Sequence, residues 1–309
     1  MSFKLIRFLA ILAGSAAAFS PVASYALPAA LQQSNSGPGV YIDLSHLDAF
    51  QKGGEELVII DIRTPDRYAA GHIPGAINIP RELIEWGNVD GVLGETKPIE
   101  ELEPILAEKG LKYDQRIVVY GEKTEGDLTY SDGRYAGKIY VSLEFAGFEK
   151  VHVLDGGVES WTGALSTEET VLPASDLKLT NSKPVIVDKA YVLAALGRED
   201  ENIFVLDMGG QSRNEATRIA GSHSAPTGLY SDTNKLHDDL TALVARLEEL
   251  GVRKDSEIIT SCGWGWAASD GLALLKDLGY TNVKLYDGSW TEWGLDPNTP
   301  KAGTQFENI

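Results

Sequence analysis

Short apolar runs alternate along this chain with stretches whose apolar positions recur every three to four residues. Leu57-Val58-Ile59-Ile60 ends at Asp61, and Ile203-Phe204-Val205-Leu206 ends at Asp207. Arg116 to Tyr120 runs into Gly121, and Glu257 to Ser261 runs into Cys262. Runs of this length, rich in β-branched residues, predict buried strands. Between them, Asp239 to Leu250 carries Leu240, Leu243, Val244 and Leu247 at helical spacing and stops at Gly251. Ile99 to Leu111 is its earlier counterpart. Strand–helix alternation of this kind predicts parallel sheets covered by helices on both faces, an α/β fold.

The pattern occurs twice. Ala146-Gly147-Phe148-Glu149-Lys150-Val151 matches Leu278-Gly279-Tyr280-Thr281-Asn282-Val283, and Asp155-Gly156-Gly157-Val158-Glu159-Ser160-Trp161 matches Asp287-Gly288-Ser289-Trp290-Thr291-Glu292-Trp293. The matching segments keep one order, as tandem duplication requires. Residues 40–165 and 187–300 are the expected domains, with 166–186, which holds Pro173, Asn181 and Pro184, as the linker. Residues 27–39 form a Pro/Ser/Gly/Gln-rich leader expected to be flexible. Residues 1–26 have the order of a secretory signal. Lys4 and Arg7 precede the apolar stretch Phe8 to Phe19, and Ser24-Tyr25-Ala26 fits a cleavage site. The apolar stretch is too short for a preferred membrane span, so an exported protein, off the membrane after cleavage, is expected.

Charge narrows the partners. The 309 residues carry a formal net charge of −18, or −20 once Lys4 and Arg7 are removed with the signal. Phosphate-backbone binding needs a basic face, so nucleic acid is excluded as an expected partner. The chain has one cysteine, Cys262, and therefore no internal disulfide. An unpaired thiol in an oxidising compartment is a liability unless it is used or protected. Cys262 ends a strand, precedes the turn Gly263-Trp264-Gly265, and leads into a helical pattern from Trp266-Ala267 onward. Backbone amides and a helix N-terminus there favour an anion, which lowers a thiol pKa and makes a nucleophile. Gly263 and Gly265 permit the backbone angles that such a cradle needs.

The segment Asp61-Ile62-Arg63-Thr64-Pro65-Asp66-Arg67-Tyr68-Ala69-Ala70-Gly71-His72-Ile73-Pro74-Gly75-Ala76 resembles the entry motif of a rhodanese domain, and the two Asp-Gly segments ending in Trp resemble the closing motif. Over roughly residues 40–300 the chain thus resembles a two-domain rhodanese-type sulfurtransferase. The resemblance implies a five-stranded parallel sheet flanked by helices in each domain and a catalytic cysteine at Cys262. It also implies a small anionic sulfur donor, a thiophilic acceptor, and a first domain without activity. The first copy fits that last expectation. Gly121 stands in the register of Cys262, and the stretch to Gly147 is nine residues longer than that from Cys262 to Gly279.

The second copy departs from the entry motif: Gly209 replaces Arg63 and Arg218 replaces His72. Arg213, six residues after Asp207, matches a family arginine that binds the anionic donor; a loop cation is the equal alternative. Arg218 is a further binding candidate or a salt-bridge partner for Glu215. Asp207 either orients the site or simply forms a turn. The loop Cys262 to Ala268 lacks the cations that the family pairs with thiosulfate and is nearer the mercaptopyruvate pattern. Yet Gly209 removes one of the paired arginines expected to clamp mercaptopyruvate, so thiosulfate, 3-mercaptopyruvate and a donor that is neither all stay open. Trp264 is expected at the cleft, and Trp266 packed. A cysteine phosphatase needs Cys-x5-Arg, and here Ala268 and Ser269 follow instead. No metal or other cofactor is expected, since the five histidines show no ligand spacing. A non-enzymatic sulfur-carrier or binding module stays open.

Overall fold

The computed structural model describes residues 38–122, 132–210, 215–225, 236 and 239–305. The signal peptide, most of the leader and Arg213 lie outside the described residues. The first sheet contains β1 (Tyr41–Ile42), β2 (Leu57–Asp61), β3 (Ile77–Asn78), β4 (Arg116–Tyr120) and β5 (Val151–Leu154), in the order β1-β5-β4-β2-β3. The second contains β6 (Ile186–Val187), β7 (Ile203–Asp207), β8 (His223–Ser224), β9 (Glu257–Ser261) and β10 (Asn282–Tyr286), in the order β6-β10-β9-β7-β8. The orders are equivalent strand for strand, and every pair in both sheets is parallel. The alternation read from the sequence is therefore two tandem α/β domains.

Register settles how the copies correspond. Asp61 pairs with Tyr120 in the first sheet and Asp207 with Ser261 in the second. Gly121 and Cys262 consequently leave equivalent strands at equivalent points. The first helices start in the same way. Asp43 caps α1 (Leu44–Lys52) by accepting from the amides of Ser45 and His46, and Asp188 caps α2 (Lys189–Ala195) from that of Tyr191. Each carboxylate satisfies amides that the first helical turn leaves without an intrahelical partner.

Each domain has a smaller apolar cluster of its own, and the two share a larger hydrophobic core. Its centre is the contact between α3 (Asp132–Phe145) and α4 (Trp266–Asp277), the helix after the cysteine turn. From Ala268 to Leu275 every residue of α4 is buried, which fits a helix enclosed between two domains. A Cβ on Gly137 of α3 would run into the Asp270 carboxylate and crowd its Cα at 3.1 Å, so glycine lets the helices cross this closely. Across the same interface Asp277 accepts from the amides of Val40 and Tyr41 (2.8 Å for Tyr41). The linker lies along the first domain: Ser175 N donates to Ala107 O at 2.8 Å, Lys183 N to Phe145 O at 2.9 Å, and Leu177 and Leu179 are buried.

His152 on β5 joins the start of the first domain to its sheet. Its Nε2 lies 2.7 Å from Arg116 Nη1, and its Nδ1 lies 2.6 Å from Gly39 O. Arginine can only donate, so Nε2 accepts, Nδ1 carries the hydrogen, and the ring is neutral. Burial pushes the imidazole down to about 4, and Arg116 adds to the shift against the opposing Gly39 bond. The unfolded value is about 6.5, so the stability from the neutral ring is full above that pH. It is lost as pH falls from there toward 4. A His152→Gln variant should therefore lose its melting-temperature deficit against the wild type as pH is lowered from 7 to 4.5. A deficit that stays constant across that range would show that the ring does not titrate on folding.

Candidate active site

Cys262 emerges from β9 into the turn that Gly265 closes. Gly265 takes φ +82°, the left-handed region that a side chain resists, and serves as the N-cap of α4. Steric room makes the same demand, because a Cβ there would sit 2.7 Å from both the carbonyl oxygen and Oδ1 of Asp287. Gly263 has open space around it. The first-turn amides of α4, Trp266 to Ala268, have no intrahelical acceptor by helix geometry and lie next to the turn that carries the sulfur.

The closing segment of the second copy cups this turn. Ser289 Oγ accepts from Cys262 N at 3.1 Å and donates to Tyr286 O at 2.9 Å. Trp290 N donates to Cys262 O at 3.0 Å, and Thr291 N to Gly263 O at 3.1 Å. Ser289 is held at φ +48°, a non-glycine residue in the left-handed region. Such strain persists only where surrounding contacts impose it. Cys262 is only 4% exposed, so the residue is buried in the turn.

Trp266 and Trp264 diverge in their surroundings. Trp266 packs on the first domain: its ring meets Tyr135 edge-on at 4.7 Å, and its Nε1 donates to Glu85 Oε2 at 3.2 Å. Arg81 stacks 3.9 Å over the Tyr135 ring and pairs with Glu85 at 2.5 Å. Burial pushes the Glu85 carboxyl above its ordinary range, against the pull of Lys138 and Arg81. Trp264 is half-buried, its ring 5.6 Å from that of Trp266. Ala267 lies in the first turn of α4 against the core.

The remaining sequence candidates are more dispersed. Asp207 is buried at the end of β7, and its Oδ1 accepts from Gly209 N at 2.8 Å. Asp61 does the same for Arg63 N at 2.9 Å, so this carboxylate shapes the loop after the strand in both copies. Arg218 stands in a short antiparallel ribbon with Ala302 that ties the C-terminal segment to the entry loop, as His72 bridges to Ser166 in the first copy. The structure thus brings together Cys262, Gly263, Gly265 and the two tryptophans, and it sets Arg218 on a separate ribbon.

At the equivalent place in the first domain the site is filled with charge. Glu122, in the register of Gly263, binds Arg63 at 3.0 Å and also pairs with Arg67. Arg63 holds Asp61 at 2.6 Å, and Tyr120 donates to Asp61 at 2.7 Å. A carboxylate of the protein occupies the arginines, and there is no thiol.

Sequence reasoning overlooked Asp287, Ser289 and Lys138. The buried ammonium of Lys138 on α3 pairs with Asp287 Oδ1, while Asp287 Oδ2 accepts from Thr96 N at 2.7 Å. In reciprocal fashion Asp155 of the first copy accepts from Leu236 N at 2.8 Å. The recurring Asp-Gly of the closing motif was the available signal for the two aspartates. A lysine within the apolar stretch from Tyr135 to Val141 was the signal for Lys138.

Comparison with known proteins agrees with the two-domain fold. A family model for the rhodanese-like domain matches residues 44–164 and 189–296. A thiosulfate sulfurtransferase of Azotobacter vinelandii is 31% identical over 254 residues, 79% of this chain and 90% of that protein. A 3-mercaptopyruvate sulfurtransferase of Escherichia coli is 29% identical over 263 residues, 78% of this chain and 86% of that protein. Among solved structures, an anaerobic ergothioneine biosynthesis enzyme from Chlorobium limicola superposes with a TM-score of 0.73 at 21% identity, covering 85% of this chain and 70% of that one.

Two glycine variants test the turn. Gly265→Ala should lower stability by about 1–3 kcal/mol, the range of one strained backbone position. Gly263→Ala, with open space at its Cβ, should change stability by less than about 0.5 kcal/mol. Thermal melting reads both, and equal losses would mean that the left-handed angle at Gly265 is not required.

Proposed function

The chain belongs to the rhodanese-like domain family, and from that premise we propose that it moves a sulfane sulfur from thiosulfate or a similar donor to a thiophilic acceptor through a persulfide on Cys262. Its chemistry is sulfur transfer. The observation that carries the Cys262 assignment is the lone thiol held between β9 and α4 in a turn that the segment from Asp287 to Thr291 grips from outside. The Cys262 thiolate attacks the outer sulfur of thiosulfate. The sulfur–sulfur bond breaks, sulfite departs with the bonding pair, and the cysteine keeps the sulfur as a persulfide anion. A thiophile then takes that sulfur and returns the thiolate. Both enzyme states are anionic, so amides preorganised around the turn serve both halves of the cycle.

Thiosulfate is preferred to 3-mercaptopyruvate because Gly209 leaves the carboxylate clamp of the second donor incomplete. Arg213, on its spacing from Asp207, is the proposed contact for the donor's charge. Residues 1–26 support export, which would put the reaction outside the cytoplasm. The first domain, with Glu122 seated on its arginines, supports the second without turning over.

Intact-mass measurement of the mature protein after exposure to thiosulfate should show one added sulfur atom. Cys262→Ser should fold and show none. Turnover by Cys262→Ser above a few per cent of wild type would remove the mechanism, and no mass gain with any donor would favour a binding module.

The turn amides and the α4 dipole favour the thiolate, while the acidic surface opposes it. Beyond about 8–10 Å that surface is screened, so the local groups should dominate. Iodoacetamide alkylation of the sulfur-free protein should titrate with a midpoint below the free-thiol value of about 8.5. A midpoint at or above it would mean that the site does not activate its nucleophile.

A further inference from the structure

We propose that Lys138, on the domain that lacks a thiol, is a positioning residue for sulfur transfer at Cys262: it anchors Asp287 against the cysteine turn and neutralises its charge there. The proposal rests on the sulfur-transfer reading of that thiol.

The structural path is short. Lys138 is completely buried, and its ammonium pairs with Asp287 Oδ1. Asp287 lies directly against Gly265, with its carbonyl oxygen and Oδ1 both 2.7 Å from where a Cβ would be. Two residues on, Ser289 takes the Cys262 amide. Lys138 therefore reaches the cysteine turn through a single intervening residue. The duplicated copies differ at this point. With Gly147 set against Gly279, Lys138 of α3 falls in the register of Asp270 of α4. The cation belongs to the non-catalytic copy alone and is aimed at the catalytic one.

Charge accounts for why a cation is needed. A carboxylate beside the turn would raise the energy of a thiolate and of a persulfide, since like charges disfavour ionisation. Glu85 and Glu95 face the same region, and the charge of Lys138 pulls on both carboxyl groups. An unpaired ammonium in such a place would carry a large desolvation penalty. Paired with Asp287, it cancels the charge of a carboxylate that lies against the cysteine turn.

Two single variants of the mature full chain should move the thiol in opposite directions. Lys138→Gln leaves Asp287 charged and uncompensated, so iodoacetamide alkylation of Cys262 at pH 7 should slow by about three- to tenfold. Asp287→Asn leaves the ammonium uncompensated, so alkylation should quicken by about threefold. In single-turnover persulfide formation from thiosulfate, Lys138→Gln should lower the saturating rate while leaving the half-saturating donor concentration unchanged. A purely structural pair would lower the melting temperature of both variants without this opposition. Equal alkylation rates in Lys138→Gln and wild type, or slower alkylation in Asp287→Asn, would overturn the proposal. If Lys138→Gln does not fold, the sign of the Asp287→Asn effect decides. If the wild type gains no sulfur from thiosulfate, the sulfur-transfer reading fails on its own, and the alkylation comparison still tests Lys138.

Discussion

The seating of the Asp287–Thr291 segment against the cysteine turn is the constraint on which the site depends. Cys262 lies at the end of a buried strand, where the chain must leave the sheet, turn sharply and start a helix. Two glycines alone would leave that turn loose. Three hydrogen bonds, from Cys262 N to Ser289 Oγ, from Trp290 N to Cys262 O and from Thr291 N to Gly263 O, fix its path. They form only because Asp287 can approach to a distance that any residue but glycine at position 265 would block. Preorganisation of this sort removes the cost of arranging amides at the moment the anion forms.

That seating in turn requires the other domain. Asp287 is held from outside its own domain, by Lys138 and by the Thr96 amide. Trp266, four residues beyond the thiol, meets Tyr135 edge-on and reaches Glu85. The enclosed helix α4 packs on α3 where Gly137 permits the crossing. A domain without a thiol thus supplies a wall, a cation and a hydrogen-bond donor for the segment that grips its neighbour's cysteine turn. Its own equivalent position is closed by Glu122 bound to Arg63 and Arg67. Duplication gave two frames, and divergence left one with a thiol in its turn and the other with an ion cluster.

The sequence by itself determined the architecture. Apolar runs of period-independent burial and helices of period near 3.6 follow from local chain geometry, and repeating them in one order dictates two like domains. It also determined Cys262 and its glycines, because a thiol between strand and helix with flexible residues beside it is a local arrangement. What sequence could not determine is who stands behind the turn. Lys138 is 124 positions from Cys262, and Thr96 lies farther away still. Nothing local distinguishes a lysine that reaches across an interface from one that reaches water. Ser289 is one position of the closing motif, and nothing local marks its hydroxyl for the Cys262 amide. Those contacts come from the packing of two sheets' helices against each other, and only the tertiary structure decides them, because burial and ion pairing depend on which distant surfaces meet.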